Sequence, residues 1–199
     1  MSDLFDVVHA QRACRSFAPT PVPDDVVGRV LDAATFAPSA ENRQPWVFVV
    51  VRDDATRARI HDLTARAWEG GGRDYAATRL EPALLADVEH GIAGGGYRTA
   101  PVLVVTAADL GRAHPATVPA SIFPAVQNLC LAAQALGLGS ALTTLTTTLS
   151  GELAGIVALP DTVVAQAVVP LGYPRRPLGP PRREHFAQHT YRDRYGTAW

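Results

Sequence analysis

Cysteine is scarce in this chain: two in 199 residues, Cys14 and Cys130, with no CxxC and no metal-ligand spacing. That argues against a disulfide framework and fits a reducing, cytoplasmic setting. Lysine is absent, so all 18 basic residues are arginine and no GxxxxGK phosphate loop exists. The glycine triplets Gly70-Gly71-Gly72 and Gly94-Gly95-Gly96 do not follow a strand in GxGxxG form, which removes a dinucleotide fingerprint of the Rossmann type. Neither sign of charge dominates: the net charge of −1 leaves no basic footprint for nucleic acid or an anionic membrane. No apolar run approaches the length of a membrane span. The N-terminal stretch Met1-Ser2-Asp3-Leu4-Phe5-Asp6 lacks a basic region followed by an apolar run, so no signal peptide is expected.

What is present suits one domain over residues 1–199, with 47% hydrophobic and 19% charged residues. Val47–Val51, Val102–Thr106, Ser140–Leu145 and Val163–Leu171 read as strands, the continuous apolar ones as buried strands. Asp3 caps a short helix to Ala10, Asp24 caps one to about Phe36, and Gly151 to Ala158 forms another. Pro119-Ala120-Ser121 opens a long helix through about Leu136, ending at Gly137. Only Gln127, Asn128 and Gln134 interrupt its apolar surface, and a helix apolar all round must be covered on all sides. In a chain this small, a second subunit is the expected cover. Strands alternating with helices predict a sheet with helices on both faces.

Two segments stand apart. Residues 53–97 are polar and Ala-rich, with glycine triplets that read as mobile loops. Trp68, Tyr75 and Tyr97 there suit either a lid lining or the core. Residues 174–199 are too Pro-rich for helix and read as an extended C-terminal arm, expected to lie on a partner subunit. His185 and His189 stand four apart without a third ligand, so no metal site is expected.

The organising stretch is Ala37-Pro38-Ser39-Ala40-Glu41-Asn42-Arg43-Gln44-Pro45-Trp46. Its two prolines disfavour helix at Ala37 and Gln44 and leave a rigid loop. Ser39, Asn42 and Gln44 offer hydroxyl and amide groups that can hydrogen-bond a heterocycle edge, although such residues also make ordinary connectors. Upstream, Gln11-Arg12-Ala13-Cys14-Arg15-Ser16-Phe17 places two arginines beside a helix end. It is either a solvated basic patch or an anion site, since guanidinium forks grip phosphate bidentately.

The Pro-Ser-x-x-Asn-x-Gln-Pro-Trp string resembles the flavin loop of the nitroreductase-like FMN-dependent oxidoreductases, and four other segments resemble the same family in order. The resemblance implies the α+β nitroreductase fold, an antiparallel-dominated mixed sheet with helices on both faces, in an intertwined homodimer. Residues 53–97 would be the variable lid. It implies FMN as cofactor, held by Arg12, Ala13, Arg15, Pro38, Ser39, Ala40, Asn42, Gln44, Thr143, Thr144, Leu145, Arg182 and Arg183. By that match Arg12 and a tail arginine, Arg183 or Arg182, meet the phosphate, and Arg15 the pyrimidine end. Thr143 to Leu145 present backbone N–H near flavin N5. Gln11 stands where many members carry a basic residue, and Ala13 where many carry Ser. The expected activity is ping-pong reduction of small electron-poor molecules, such as nitroaromatics or quinones, by NADPH or NADH, with no catalytic side chain. The alternatives are a flavin sensor or carrier without turnover, and a member with divergent flavin chemistry.

Overall fold

The computed structural model describes residues 3–199; Met1 and Ser2 of the stretch read for a leader lie outside the described residues. The frame is a four-stranded sheet in the order β1 (Trp46–Val51), β2 (Val102–Asp109), β4 (Val163–Gly172), β3 (Gly139–Ser140), with all three pairings antiparallel. An isolated parallel bridge joins Ala13 to Ser140.

β2 is buried along nearly its whole length and alternates strictly. Val102, Val104 and Ala108 face one hydrophobic cluster, and Leu103 and Val105 the other. That period of two is the strand geometry itself. β4 cannot alternate the same way, because Thr106 pairs with Ala167 but Ala107 pairs with Ala165, leaving Gln166 as an extra residue. Val169 and Leu171 therefore face the first cluster, while Ala165 and Val168 face the second. A one-residue bulge flips the parity of everything beyond it.

The first cluster is roofed by α2 (Asp24–Thr35) and α6 (Val118–Ala135). α2 presents Val27, Val30 and Ala34 at helical spacing. Its cap differs from expectation: Asp24 is the first helical residue, Pro23 holds the cap position, and no side chain caps the helix. Asp24 and Asp25 instead sit in the first turn, where carboxylates favour the helix dipole. α6 is long and apolar enough by composition to cross a membrane, against the expectation that no run is. Burial supplies the reason for that apolarity on one side only. Ile122, Ala125, Val126, Leu129 and Ala133 are buried, whereas Ala120 and Gln127 are exposed and Phe123, Pro124 and Leu131 half-buried.

The second cluster is roofed by α3 (Asp54–Ala67) and α7 (Ser150–Val157). α1 (Leu4–Ala10) is capped by the Asp3 carboxylate, which accepts from the Phe5 N–H at 3.3 Å. α4 (Arg73–Ala77) and α5 (Pro82–Ile92) complete the middle segment. Trp68 and Tyr97 are core residues, while Tyr75 is exposed with the Arg79 guanidinium 3.9 Å over its ring.

The glycine triplets are structural punctuation. Gly70-Gly71-Gly72 lies in a π-helical turn that joins α3 to α4, with Gly71 at φ 125°. Gly94-Gly95-Gly96 ends α5: the Gly94 N–H donates to Glu89 O, the Gly96 N–H to His90 O, and Gly95 takes φ 76°. Such left-handed endings satisfy orphan helix carbonyls and favour glycine.

The segment expected as a strand over Ser140–Leu145 pairs only through Ser140, with Thr143 making an isolated bridge to Val168. The chain then turns into a 3₁₀ helix, Leu145–Leu149, whose threonines bond back to carbonyls three residues earlier: Thr147 Oγ1 to Thr144 O at 2.6 Å and Thr148 Oγ1 to Leu145 O at 2.8 Å. Local hydroxyl bonding of this kind competes with a ladder.

Candidate functional site

The Arg12–Phe17 string runs between sheet and tail. The Cys14 N–H donates to Ser140 O at 2.8 Å, the Ala18 N–H to Tyr173 O at 2.8 Å, and the Arg175 N–H to Ser16 O at 3.1 Å. The last two bonds hold the root of the arm beside the Arg12–Phe17 string. Arg12 Nη1 donates to Gly179 O at 3.0 Å and holds the arm further out. Between string, arm and α5 lies a cavity of about 1010 Å³.

Arginine dominates its lining: Arg12, Arg15, Arg175, Arg176, Arg182 and Arg183, with Asp87 the one carboxylate among the lining residues. Arg15 is the best fixed. Its Nη1 lies 2.6 Å from Asp87 Oδ2, and its side chain is 16% exposed. A Cβ on Gly91 would meet the Arg15 stem at 3.0 Å, and one on Gly96 would sit 2.0 Å from the Arg15 carbonyl oxygen. Both glycines are therefore required for the approach of α5 to Arg15. Arg15 Nε is buried with no hydrogen-bond partner among the described residues. An orphaned donor of this kind costs about 1–3 kcal/mol unless an acceptor reaches it.

Two titratable neighbours are unreactive by environment. Burial pushes the Cys14 thiol up, against a backbone hydrogen bond from Ser16 and the Arg15 charge. Burial likewise raises the Tyr97 phenol, with Arg15 pulling the other way. Both stay protonated near neutrality, so neither supplies a nucleophile or base.

Of the residues expected from the sequence, this cavity unites Arg12, Ala13, Arg15, Arg182 and Arg183. It does not include Pro38, Ser39, Ala40, Asn42 or Gln44. Those form a tight exposed loop in which Glu41, Asn42 and Gln44 adopt φ of 54°, 53° and 50°. Left-handed backbone outside glycine costs on the order of 1 kcal/mol or more per residue. Ser39 Oγ accepts from the Gln44 N–H at 3.0 Å, Gln44 Nε2 donates to Asn42 Oδ1 at 3.1 Å, and the Ala40 N–H donates to Ser121 Oγ at 3.2 Å, which pins the loop to α6. Ala40 borders a separate hollow of about 400 Å³ beside residues 110–115. Thr143, Thr144 and Leu145 form a third group at the sheet's end. Thr143 exchanges two backbone bonds with Val168, and the Leu145 N–H donates to Thr143 Oγ1 at 3.3 Å. The Thr144 N–H has no partner among the described residues.

Asp87, Gly91, Gly96, Arg175 and Arg176 were not foreseen. Asp87 lies 72 residues from its partner Arg15, and no local pattern announces the pairing. Arg175 and Arg176 were visible only as a basic pair in a proline-rich tail. His185 and His189 do not converge: His185 Nδ1 accepts from the Ala187 N–H at 3.4 Å, and His189 Nε2 lies 3.0 Å from Glu184.

An antiparallel sheet clad by helices on both faces, carrying a cavity of guanidinium groups, defines an α+β protein suited to an anionic ligand. The model of the Nitroreductase family matches residues 8–173, and the chain belongs to that family. A Methanothermobacter thermautotrophicus protein with a provisional NADH dehydrogenase/NAD(P)H nitroreductase name is 28% identical over 193 residues, 92% of this chain and 86% of the relative. The NADH dehydrogenase of Thermus thermophilus is 32% identical over 176 residues, 82% of this chain and 83% of the relative. Among solved structures, a provisional nitroreductase from Desulfovibrio desulfuricans in complex with FMN superposes with a TM-score of 0.76 at 23% identity. It covers 98% of this chain and 99% of its own.

Proposed function

We propose that this protein is an FMN-dependent oxidoreductase that takes electrons from NADPH or NADH and passes them to small electron-poor molecules such as nitroaromatics or quinones. The observation that carries this reading is the cavity of six arginines, one of which, Arg15, has a buried Nε without a hydrogen-bond partner among the described residues. Those donors fit FMN: a phosphate monoester carries about −1.5 to −2 charge near neutrality, and guanidinium forks are its natural partners. Family membership and the FMN-bound neighbour support the same choice.

Arg12, Arg182 and Arg183 hold the phosphate, and Arg15 the pyrimidine end of the ring. Bound FMN supplies two-electron redox chemistry between donor and acceptor. Everything else the chain does is binding and electrostatics. Arg15 places a fixed positive charge at the ring, softened by Asp87, and a preorganised charge of this kind favours an electron-rich ring over an electron-poor one. Of Thr143, Thr144 and Leu145, Thr144 contributes the unpaired backbone N–H, and the bonds of the other two fix the turn that presents it. The protonated Cys14 and Tyr97 take no part in proton transfer.

The loop of Pro38, Ser39, Ala40, Asn42 and Gln44 lies away from the arginine cavity within one chain. A homodimer in which each protomer's loop meets its partner's cavity unites the two. The half-exposed face of α6 and the exposed Leu4, Phe5 and Val8 of α1 support that assembly, since apolar patches of this kind mark interfaces.

The test is a flavin titration of the purified protein. FMN should bind and be reduced by NADPH or NADH without oxygen, and riboflavin should bind more weakly. A protein that stays colourless with excess FMN ends this reading.

A further inference from the structure

The cavity holds more positive charge than one flavin phosphate uses. Five of its arginines, Arg12, Arg175, Arg176, Arg182 and Arg183, form no ion pair among the described residues, while Arg15 is matched by Asp87. The surplus is local, because the whole chain has net charge −1. A phosphate of about −2 is met by Arg12 with Arg182 and Arg183. Arg175 and Arg176 remain, and their position is distinct. The Arg175 N–H bond to Ser16 O sets them beside the Arg15 end of the string, whereas Gly179, bonded to Arg12, stands between them and Arg182. Like charges gathered in one cavity repel unless an anion joins them. The volume of about 1010 Å³ is at the upper end of the roughly 300–1,000 Å³ usual for one small-molecule ligand.

Building on the flavin reading above, we infer that Arg175 and Arg176 form a second anion subsite that takes the ribose phosphate of NADPH and so selects NADPH over NADH. The two donors differ by that single phosphate. Adjacent guanidinium groups grip a phosphate with paired, directional hydrogen bonds, and they remain charged at every working pH. Both side chains belong to exposed residues, so they are free to meet a ligand that comes and goes.

The experiment uses the FMN-loaded protein and the non-reducing ligands NADP⁺ and NAD⁺, titrated by calorimetry at low and high salt. NADP⁺ should bind at least tenfold more tightly at low salt, and the advantage should shrink as salt screens it. In Arg175→Ala/Arg176→Ala that advantage should fall below threefold, with NAD⁺ affinity little changed. Adenosine 2′,5′-bisphosphate should compete with NADP⁺ better than adenosine 5′-monophosphate does. Equal binding of NADP⁺ and NAD⁺, a preference that survives the double substitution, or equal losses of FMN and NADP⁺ affinity in the variant would each overturn the subsite. A protein that takes no FMN yet prefers NADP⁺ refutes the flavin reading and leaves the subsite standing.

Discussion

Acidification should destabilise this protein through one histidine. His61 on α3 is 8% exposed, and its Nε2 has no hydrogen-bond partner among the described residues. Burial, reinforced by the charges of Arg98 and Arg57 and opposed by Asp62, lowers its pKa to about 4. The unfolded chain titrates near 6.5, so folding favours the neutral ring. The stability this contributes is complete above pH 6.5 and is lost as pH falls through 6.5 toward 4, because the unfolded state then binds the extra proton. Each pH unit across that window costs up to ~1.4 kcal/mol, which makes the loss ~1.4 kcal/mol by pH 5.5 and ~3 kcal/mol by pH 4. The perturbation is His61→Leu, which removes the titration and leaves no orphaned donor or acceptor. Urea midpoints of both proteins, taken at four pH values between 7.5 and 4.5 and at fixed concentration and ionic strength, isolate the effect. Carboxylates titrate alike in both proteins and cancel. The wild type should lose ground to the variant steadily below pH 6.5. Parallel midpoints across the whole range would refute the buried neutral His61.

Three further outcomes follow from the site. Arg12→Ala should weaken FMN about tenfold to a hundredfold, a charge-assisted bond of roughly 1.5–3 kcal/mol, and should shrink the advantage of FMN over riboflavin by the same factor in the same titration. Arg15→Ala should lower the reduction potential of the bound flavin and affect FMN and riboflavin affinity equally, whereas Asp87→Asn, which leaves Arg15 unopposed, should raise the potential; an unchanged potential in both would remove Arg15 from the ring. Gly96→Ala forces a Cβ to 2.0 Å from the Arg15 carbonyl oxygen, so its thermal midpoint should fall by the equivalent of about 1–3 kcal/mol, and full stability would mean that the turn after α5 does not lie against Arg15.

Much of the frame is legible in the sequence because its strands are runs of β-branched and apolar residues. Val47–Val51, Val102–Thr106 and Val163–Leu171 each fall within an observed strand. Ser140–Leu145 misleads because threonine suits both a strand and a hydroxyl-bonded 3₁₀ turn, and only the neighbouring chain decides between them. The glycine triplets mislead because a helix end, a close approach and a loose loop all call for glycine. Arg12, Arg15, Arg182 and Arg183 are legible as arginine clusters before and after the body of the fold, and they meet in one cavity. Their acidic counterpart Asp87 is not, since nothing near it in sequence shows that α5 folds over Arg15. The gap between the Pro38–Gln44 loop and that cavity is invisible in a linear motif, which records order along the chain and not distance in space.

Neither hydrophobic cluster takes a residue beyond Tyr173, yet four of the six cavity arginines lie after it. A chain cut at Tyr173 keeps every pairing among β1 to β4 and both cores, and loses one wall of the cavity. Part of the cavity wall is thus written in a stretch that neither core uses. Charges in the arm can be exchanged, added or removed without touching either hydrophobic cluster.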